Sequence, residues 1–320
     1  MTVPERPIEK TRPEAGYTAL HAAGELEERA AKATALLSDC TVCPRDCHID
    51  RLGGEKGYCR TGACLQVSHA GPHFGEEREL VGRNGSGTIF ISHCNLACVF
   101  CQNSEISQGG DGQETDASGF ATLMLDLQRQ GCHNINIVTP THVVPQILAA
   151  LAIAADKGLT IPLVYNSGGY DSVETLRLLE GIIDIYMPDL KYSSDAIARA
   201  LSGVPDYVEV MKSSVMEMHR QVGDLVTDRG IAVRGMILRH LVLPGDLAGT
   251  LEVLRFIARE ISPDSYINIM PQYRPMWHAG RIAKSEPMFR DLQRALRRDE
   301  YSRAVRYARE VGLHRGFPVR

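Results

Sequence analysis

Two kinds of apolar pattern alternate along most of this chain. From residue 87 onward, short apolar runs are followed by longer stretches with helical periodicity. The runs at 87–92, 134–139, 161–166, 182–187, 233–242 and 266–270 predict strands. Ile135-Asn136-Ile137-Val138 and Ile182-Ile183-Asp184-Ile185-Tyr186-Met187 are nearly continuous, as strands buried on both faces of a parallel sheet are. The stretches at 117–130, 142–157, 172–180, 205–222, 247–261 and 286–311 predict helices. Six such units predict an α/β protein built on a partial (β/α)6 barrel of the TIM type. Upstream the pattern changes. Residues 1–16 read as a loose tail, 18–38 as a helix, 40–64 as a dense Cys/Gly module and 65–86 as an irregular connector. The expected division is therefore a tail and helix (1–39), a Cys-rich module and connector (40–86), the barrel (87–275) and a C-terminal helical segment (276–320).

Composition narrows the function classes. At 320 residues the chain is long enough for one such barrel with an extension. A net charge of −4, with no basic run, leaves no electrostatic footprint for nucleic acid. No apolar stretch reaches membrane-spanning length; Ile147 to Ala155 is one segment of a helix. Met1-Thr2-Val3-Pro4-Glu5-Arg6 has no apolar core of a secretory signal. Nine cysteines without such a signal predict a reducing, cytoplasmic setting and metal binding in preference to disulfides.

The densest chemistry follows the first barrel strand. Gly87-Thr88-Ile89-Phe90-Ile91-Ser92 runs into Cys94-Asn95-Leu96-Ala97-Cys98-Val99-Phe100-Cys101, three thiols in eight residues. Three cysteines are one short of a closed four-ligand site. A cubane cluster held by three keeps one iron open, whereas a structural zinc would need a fourth ligand such as His93. The Cys-x-x-x-Cys-x-x-Cys spacing, with an aromatic before the last Cys, resembles the signature of the radical S-adenosylmethionine (radical SAM) superfamily. That resemblance implies a [4Fe–4S] cluster on Cys94, Cys98 and Cys101 whose open iron binds the amino and carboxylate groups of SAM. It implies the same partial barrel. It also implies reductive cleavage of SAM to methionine and a 5′-deoxyadenosyl radical that abstracts hydrogen from a substrate.

A β/α barrel gathers its site at the C-terminal strand ends, so those ends supply the remaining candidates. The second strand ends Thr139-Pro140-Thr141-His142, where the family usually carries a glycine-rich turn facing the SAM ammonium. Thr141 and His142 are equally suited to capping the next helix. The third ends Asn166-Ser167-Gly168-Gly169, either a close approach for a ligand or an ordinary turn. The fourth ends Asp189-Leu190-Lys191, whose charges are two apart and so point the same way on an extended segment. They can hold a zwitterion or form a plain salt bridge. The fifth carries Arg239, suited to a forked carboxylate contact or to a rim salt bridge.

Cys98-Val99-Phe100-Cys101-Gln102-Asn103, Asp189-Leu190-Lys191 and Arg239-His240-Leu241-Val242-Leu243-Pro244-Gly245 are similar to segments of pyruvate formate-lyase activating enzymes. This resemblance implies that the Asp189/Lys191 pair contacts SAM, and adds Phe100 and Asn103 to the cofactor surroundings. It implies an electron donor such as a flavodoxin or ferredoxin, and a glycyl-radical enzyme as target. Two features depart from it. No His stands in Pro271-Gln272-Tyr273-Arg274, where that family has one that contacts SAM. Cys40, Cys43, Cys47 and Cys59 form an added module suited to a second [4Fe–4S] cluster or to zinc. Cys64 reads as a spare thiol and Cys132 as a core residue. His69 and His73 read as loop residues or as the rim of a substrate mouth; Glu76 and Glu77 read as solvated. Three functions fit: a radical SAM enzyme close to glycyl-radical activases, one acting on a small molecule or peptide, or a non-catalytic iron–sulfur carrier or zinc scaffold.

Overall fold

A computed structural model describes residues 14–317. Helices α1 (Gly16–Ala22) and α2 (Glu25–Ala35) come first, then an irregular segment carrying five cysteines, Cys40 to Cys64. The chain continues through β1 (Leu65–His73), α3 (Arg78–Val81), β2 (Ser86–Ile91), α4 (Ser104–Ser107), β3 (Gln113–Thr115) and α5 (Ala117–Arg129). Next are β4 (Ile135–Val138), α6 (Val144–Asp156), β5 (Leu163–Ser167), α7 (Val173–Leu178), β6 (Ile185–Pro188), α8 (Asp195–Ser202) and α9 (Tyr207–Val222). The last elements are β7 (Val226–Asp228), β8 (Ile231–Leu241), α10 (Thr250–Phe256), β9 (Tyr266–Met270), α11 (Ala279–Ser285) and α12 (Arg298–Glu310).

Strands β2, β4, β5, β6, β8 and β9 pair in parallel, in that order. They are the six apolar runs, and the sheet they form curves without closing into a full barrel. Crossover helices force this arrangement, because parallel neighbours cannot be joined by a tight turn. Local signals start several of them. Asp116 accepts from the Gly119 N–H at 2.7 Å to begin α5, and Pro145 sits in the first turn of α6. Leu80, Val164, Ile185, Met187 and Ile237 form a buried apolar cluster inside the sheet's curve. On the open side, Glu77 accepts from Asn268 Nδ2 (3.0 Å) and Tyr266 donates to Glu79 (2.7 Å), so α3 reaches from the end of β1 to β9.

Several expectations change. The expected irregular connector contains β1, antiparallel to β2. Pro72 obscured it, but β3 covers only Leu65 to Val67, so Pro72 lies where β1 is an edge and needs no outer N–H bond. The expected loose tail does not reach residue 16: Ala15 is buried, and the Gly16 N–H donates to Asp184 at 2.9 Å. Residues 1–13 lie outside the described residues. The 18–38 helix is two, broken at Gly24 with φ 74°. The 286–311 helix is α12 alone, preceded by a short 3₁₀ turn from Pro287. It restarts where Glu300 accepts the Arg297 N–H at 2.8 Å. Helix α8 lies ahead of the expected 205–222 helix, which is α9.

Candidate active site

β2 delivers the chain through Ser92 and His93 into the cysteine loop. His93 turns with φ 68°, and its Nε2 meets Gln66 Oε1 at 3.2 Å. Among the described residues, no three His, Cys, Asp or Glu side chains converge on a single ion. The triad thiols are neighbours nonetheless: Cys98 and Cys101 both act electrostatically on Cys94. Each sulfur has a hydrogen-bond partner. The Leu96 N–H donates to Cys94 Sγ at 3.3 Å. Cys98 Sγ lies 3.0 Å from Ser202 Oγ, and Cys101 Sγ 3.2 Å from Ser107 Oγ. Amide and hydroxyl donors favour a charged sulfur, the state a cluster needs. Burial pushes the Cys94 thiol up to about 12. It also raises Cys98, against the opposing pull of the nearby Lys191 ammonium.

Lys191 belongs to a three-membered charge array at the ends of β6 and β8. Lys191 Nζ donates to Asp189 Oδ2 at 2.6 Å. Arg239 Nε donates to Asp189 Oδ1 at 2.8 Å, and Arg239 Nη2 to Asn166 Oδ1 at 2.7 Å. Burial alone would raise Asp189, but Arg239 and Lys191 overcome it and hold the carboxyl below its ordinary range. His240 faces the other way from Arg239, as the strand period requires. It meets the Leu190 carbonyl at 2.6 Å and so pins the middle of the Asp189–Lys191 segment.

The end of β4 keeps a glycine-like turn without glycine: Thr139 has φ 65°. That region is unfavourable for a β-branched side chain. Neither Thr141 nor His142 caps α6, whose preceding residue is Val143 with no side-chain cap. Thr141 donates instead to Asp171 at 2.7 Å, as do Ser167 (2.7 Å) and Tyr165 (2.8 Å). Burial raises the Asp171 pKa, and these three hydroxyls oppose it. No motif marked Asp171. The close approach expected at Gly168-Gly169 is made by the protein itself. A Cβ at Gly168 would lie 2.7 Å from Leu96 of the cysteine loop, and one at Gly169 would lie 2.3 Å from the Asp189 carbonyl oxygen. Phe100 packs edge-on against Tyr192 and Tyr273, with ring centroids 6.4 and 5.9 Å away. Asn103 is exposed at the start of α4.

His142 lines a different pocket. Cys40, Cys43, Cys47 and Cys59 surround it with Arg51. Burial pushes the Cys43 thiol up to about 12, with further contributions from Cys59, Cys40 and Cys47. Arg51 and Arg45 carried no sequence signal, yet both are structural keys: Arg51 is buried, and Arg45 Nε donates to the Asn95 carbonyl at 2.8 Å. Cys132 is buried in the core, as expected. Glu77 is partly buried and bonded, which corrects its reading as solvated. Burial raises Glu76. His69 and His73 lie on β1, exposed, with their rings against Phe90.

Comparison with known proteins agrees with this geometry. Residues 88–257 match the family model of the Radical SAM superfamily, a span holding the triad, the charge array and five of the six parallel strands. An uncharacterized protein of Methanocaldococcus jannaschii is 30% identical over 290 residues, an alignment covering 87% of this chain and 76% of the relative. That family is defined by a [4Fe–4S] cluster and SAM. Among the described residues, no helix is long and apolar enough to cross a membrane. With its cysteine loop at the end of β2 and more than half its length matched, the chain belongs to the radical SAM superfamily.

Proposed function

We propose that Cys94, Cys98 and Cys101 hold the family's cluster, and that Asp189, Lys191 and Arg239 hold SAM beside it. The observation that carries this is the charge array next to the triad. Two cations flank one carboxylate, and Lys191 stands close enough to act on Cys98 and Cys94. Such an array offers both signs of charge to a zwitterion, which a plain structural pair has no need to do. The donor set fits the cluster: three neighbouring sulfurs, each within hydrogen-bond reach of an amide or hydroxyl. When bound, cluster and SAM supply the one-electron chemistry, cleaving the sulfonium to methionine and a 5′-deoxyadenosyl group that takes hydrogen from the substrate. The chain's own contribution is placement. Asp189 and Lys191 orient the methionyl end, Asn166 steadies Arg239, and Phe100 anchors the cysteine loop on Tyr192 and Tyr273. Thr139, Thr141, Ser167 and Asn103 shape the surrounding turns.

The finer proposal is a relative of glycyl-radical activases, with a backbone glycine of a partner enzyme as target. A flavodoxin- or ferredoxin-type donor would supply electrons in a reducing cytoplasm. Support comes from the Asp189-Leu190-Lys191 and Arg239-to-Gly245 segments. One observation favours a small molecule or peptide instead: no His stands in residues 271–274, and Tyr273 there is buried and donates to the Leu292 carbonyl (2.8 Å). Cys40, Cys43, Cys47 and Cys59 are proposed to bind a second metal centre. The deciding experiment is anaerobic reconstitution with iron and sulfide, addition of SAM and dithionite, and mass spectrometry. 5′-Deoxyadenosine is expected from the wild type and none from Cys98→Ala. Equal yields from both would overturn the assignment.

A further inference from the structure

The pocket of the N-terminal cysteines is built for an anionic guest. Arg51 is 1% exposed. Its hydrogen-bond partners among the described residues are the Gly62 carbonyl, the His142 carbonyl and Cys40 Sγ. None is a carboxylate, and a buried guanidinium without a counter-charge is costly. Metal-bound thiolates would supply that charge. His142 adds an independent observation. Its Nε2 lies 3.1 Å from the Ser92 carbonyl, which can only accept, so the ring proton is there and Nδ1 is a bare lone pair. That Nδ1 is buried with no hydrogen-bond partner. Histidines that ligate a metal almost always donate their other ring N–H to a carbonyl, carboxylate or water, and His142 has that arrangement. The loop also curls round the pocket. Asp46, His48 and Arg60, each next to a cysteine, have φ of 45°, 49° and 56°. A Cβ at Gly57 would lie 2.9 Å from Cys47 Sγ.

Two contacts join this pocket to the triad. Arg45, between Cys43 and Cys47, donates to the carbonyl of Asn95, the residue after Cys94, and to the Gly203 carbonyl at 2.8 Å. Gly203 follows Ser202, the partner of Cys98. His142 meets Ser92, two residues before Cys94. We propose that Cys40, Cys43, Cys47 and Cys59 hold a second iron–sulfur cluster, and that it passes electrons to the triad across the Arg45 and His142 contacts. The destination of the electron rests on the radical SAM assignment. The step is one electron in and one out. A low-potential one-electron donor reduces the second cluster, the electron moves to the triad cluster, and the second cluster returns to its oxidised state. No bond or proton changes hands.

The test uses the full chain, reconstituted anaerobically with iron and sulfide. The wild type should hold about eight irons, and the Cys94→Ala/Cys98→Ala/Cys101→Ala variant about four. About four in the wild type, or zinc with no iron in the triple variant, would overturn the second cluster. The wild-type count decides the matter even if the triple variant fails to fold. After dithionite reduction, the electron paramagnetic resonance signals of the two clusters should broaden and relax each other. In Arg45→Leu, with iron retained, that coupling should weaken and electron arrival at the triad should slow. Two uncoupled signals in the wild type, or an unchanged transfer rate in Arg45→Leu, would overturn the relay. A coupled pair of clusters without 5′-deoxyadenosine from SAM would leave the second cluster standing and sink the proposed cleavage of SAM instead.

Discussion

The two cysteine loops touch through Arg45, yet they are held by opposite means. The Cys94–Cys101 loop hangs from β2, a strand paired on both sides and buried almost throughout. Its position is set by the sheet before any cofactor arrives. The Cys40–Cys59 loop has no strand or helix of its own. A few backbone bonds hold it, among them Cys40 N–H to the Ile49 carbonyl (3.0 Å) and Arg51 N–H to the Leu37 carbonyl (2.8 Å). Their cations differ in the same sense. Lys191 and Arg239 share Asp189, whereas Arg51 faces only carbonyls and sulfur. A barrel can preorganise a site and leave it ready for a ligand. A loop this poor in regular structure needs its guest to complete it.

The largest expected effect separates the two loops directly. Cys98→Ala should cut reductive SAM cleavage by at least about 1,000-fold, near 4 kcal/mol, and barely move the unfolding midpoint. Cys43→Ala should lower the midpoint of the reconstituted protein and leave SAM affinity intact. Product yield and thermal unfolding, measured on both, check this. A Cys43→Ala protein as stable as wild type would break the contrast, because the module would then hold its shape without a guest.

Arg51→Met comes next. It strands the buried His142 carbonyl, leaves the Gly62 carbonyl to Gln146 alone and removes the cation beside Cys40, a loss of about 2–3 kcal/mol. Denaturant unfolding of the reconstituted chain measures it, and Arg51→Lys should recover only part. Beside the other loop, at the end of β6, Asp189→Ala should weaken SAM binding by roughly 10- to 150-fold, or about 1.5–3 kcal/mol, with iron content unchanged. Titration calorimetry of the iron-loaded protein reads it out. Wild-type affinity would reduce the array to a structural pair.

This contrast also marks what the sequence could show. The six parallel strands were legible because strands buried on both faces leave unbroken apolar runs, and the triad because its spacing is local. Asp189 and Lys191 were legible as a pair for the same reason. Arg51, Arg45 and Asp171 were not. Each has a partner far off in the chain, 91, 50 and 30 residues away, and a buried Arg or Asp has no sequence mark that separates it from an exposed one. His142 was legible as a strand-end residue but not by destination. Which way it turns depends on the Ser92 carbonyl and on a module whose pattern predicts no regular element. β1 was hidden by a proline that only the sheet edge excuses.

Each loop has one buried neutral histidine beside it, and pH can weigh them. Burial lowers His142 to about 3, with Arg51 adding to it. Burial lowers His240 to about 4, and the Leu190 carbonyl partly opposes this. The nearby charges on His240 pull both ways, Asp189 up and Lys191 down. Nδ1 of His240 donates to Leu190, and Nε2 accepts from Thr250 Oγ1 at 2.9 Å, so a second ring proton would oblige the Thr250 hydroxyl to accept instead of donate. The unfolded chain binds that proton at about 6.5. Between that value and about 4 the unfolded state carries a proton that the folded state does not. The stabilisation is therefore complete above about pH 6.5 and is lost as pH falls towards 4, by about 2 kcal/mol at pH 5. The wild-type curve carries both histidines, so the difference between wild type and His240→Gln isolates one. That difference should shrink by about 2 kcal/mol between pH 7 and pH 5. A constant difference would mean that folding leaves His240 near its unfolded value of about 6.5, and a difference that grows as pH falls would mean that His240 is already protonated in the fold at pH 7. The Asp189–Lys191 segment would then be pinned by a cation, and the clamp over the triad would rest on three positive groups and one carboxylate.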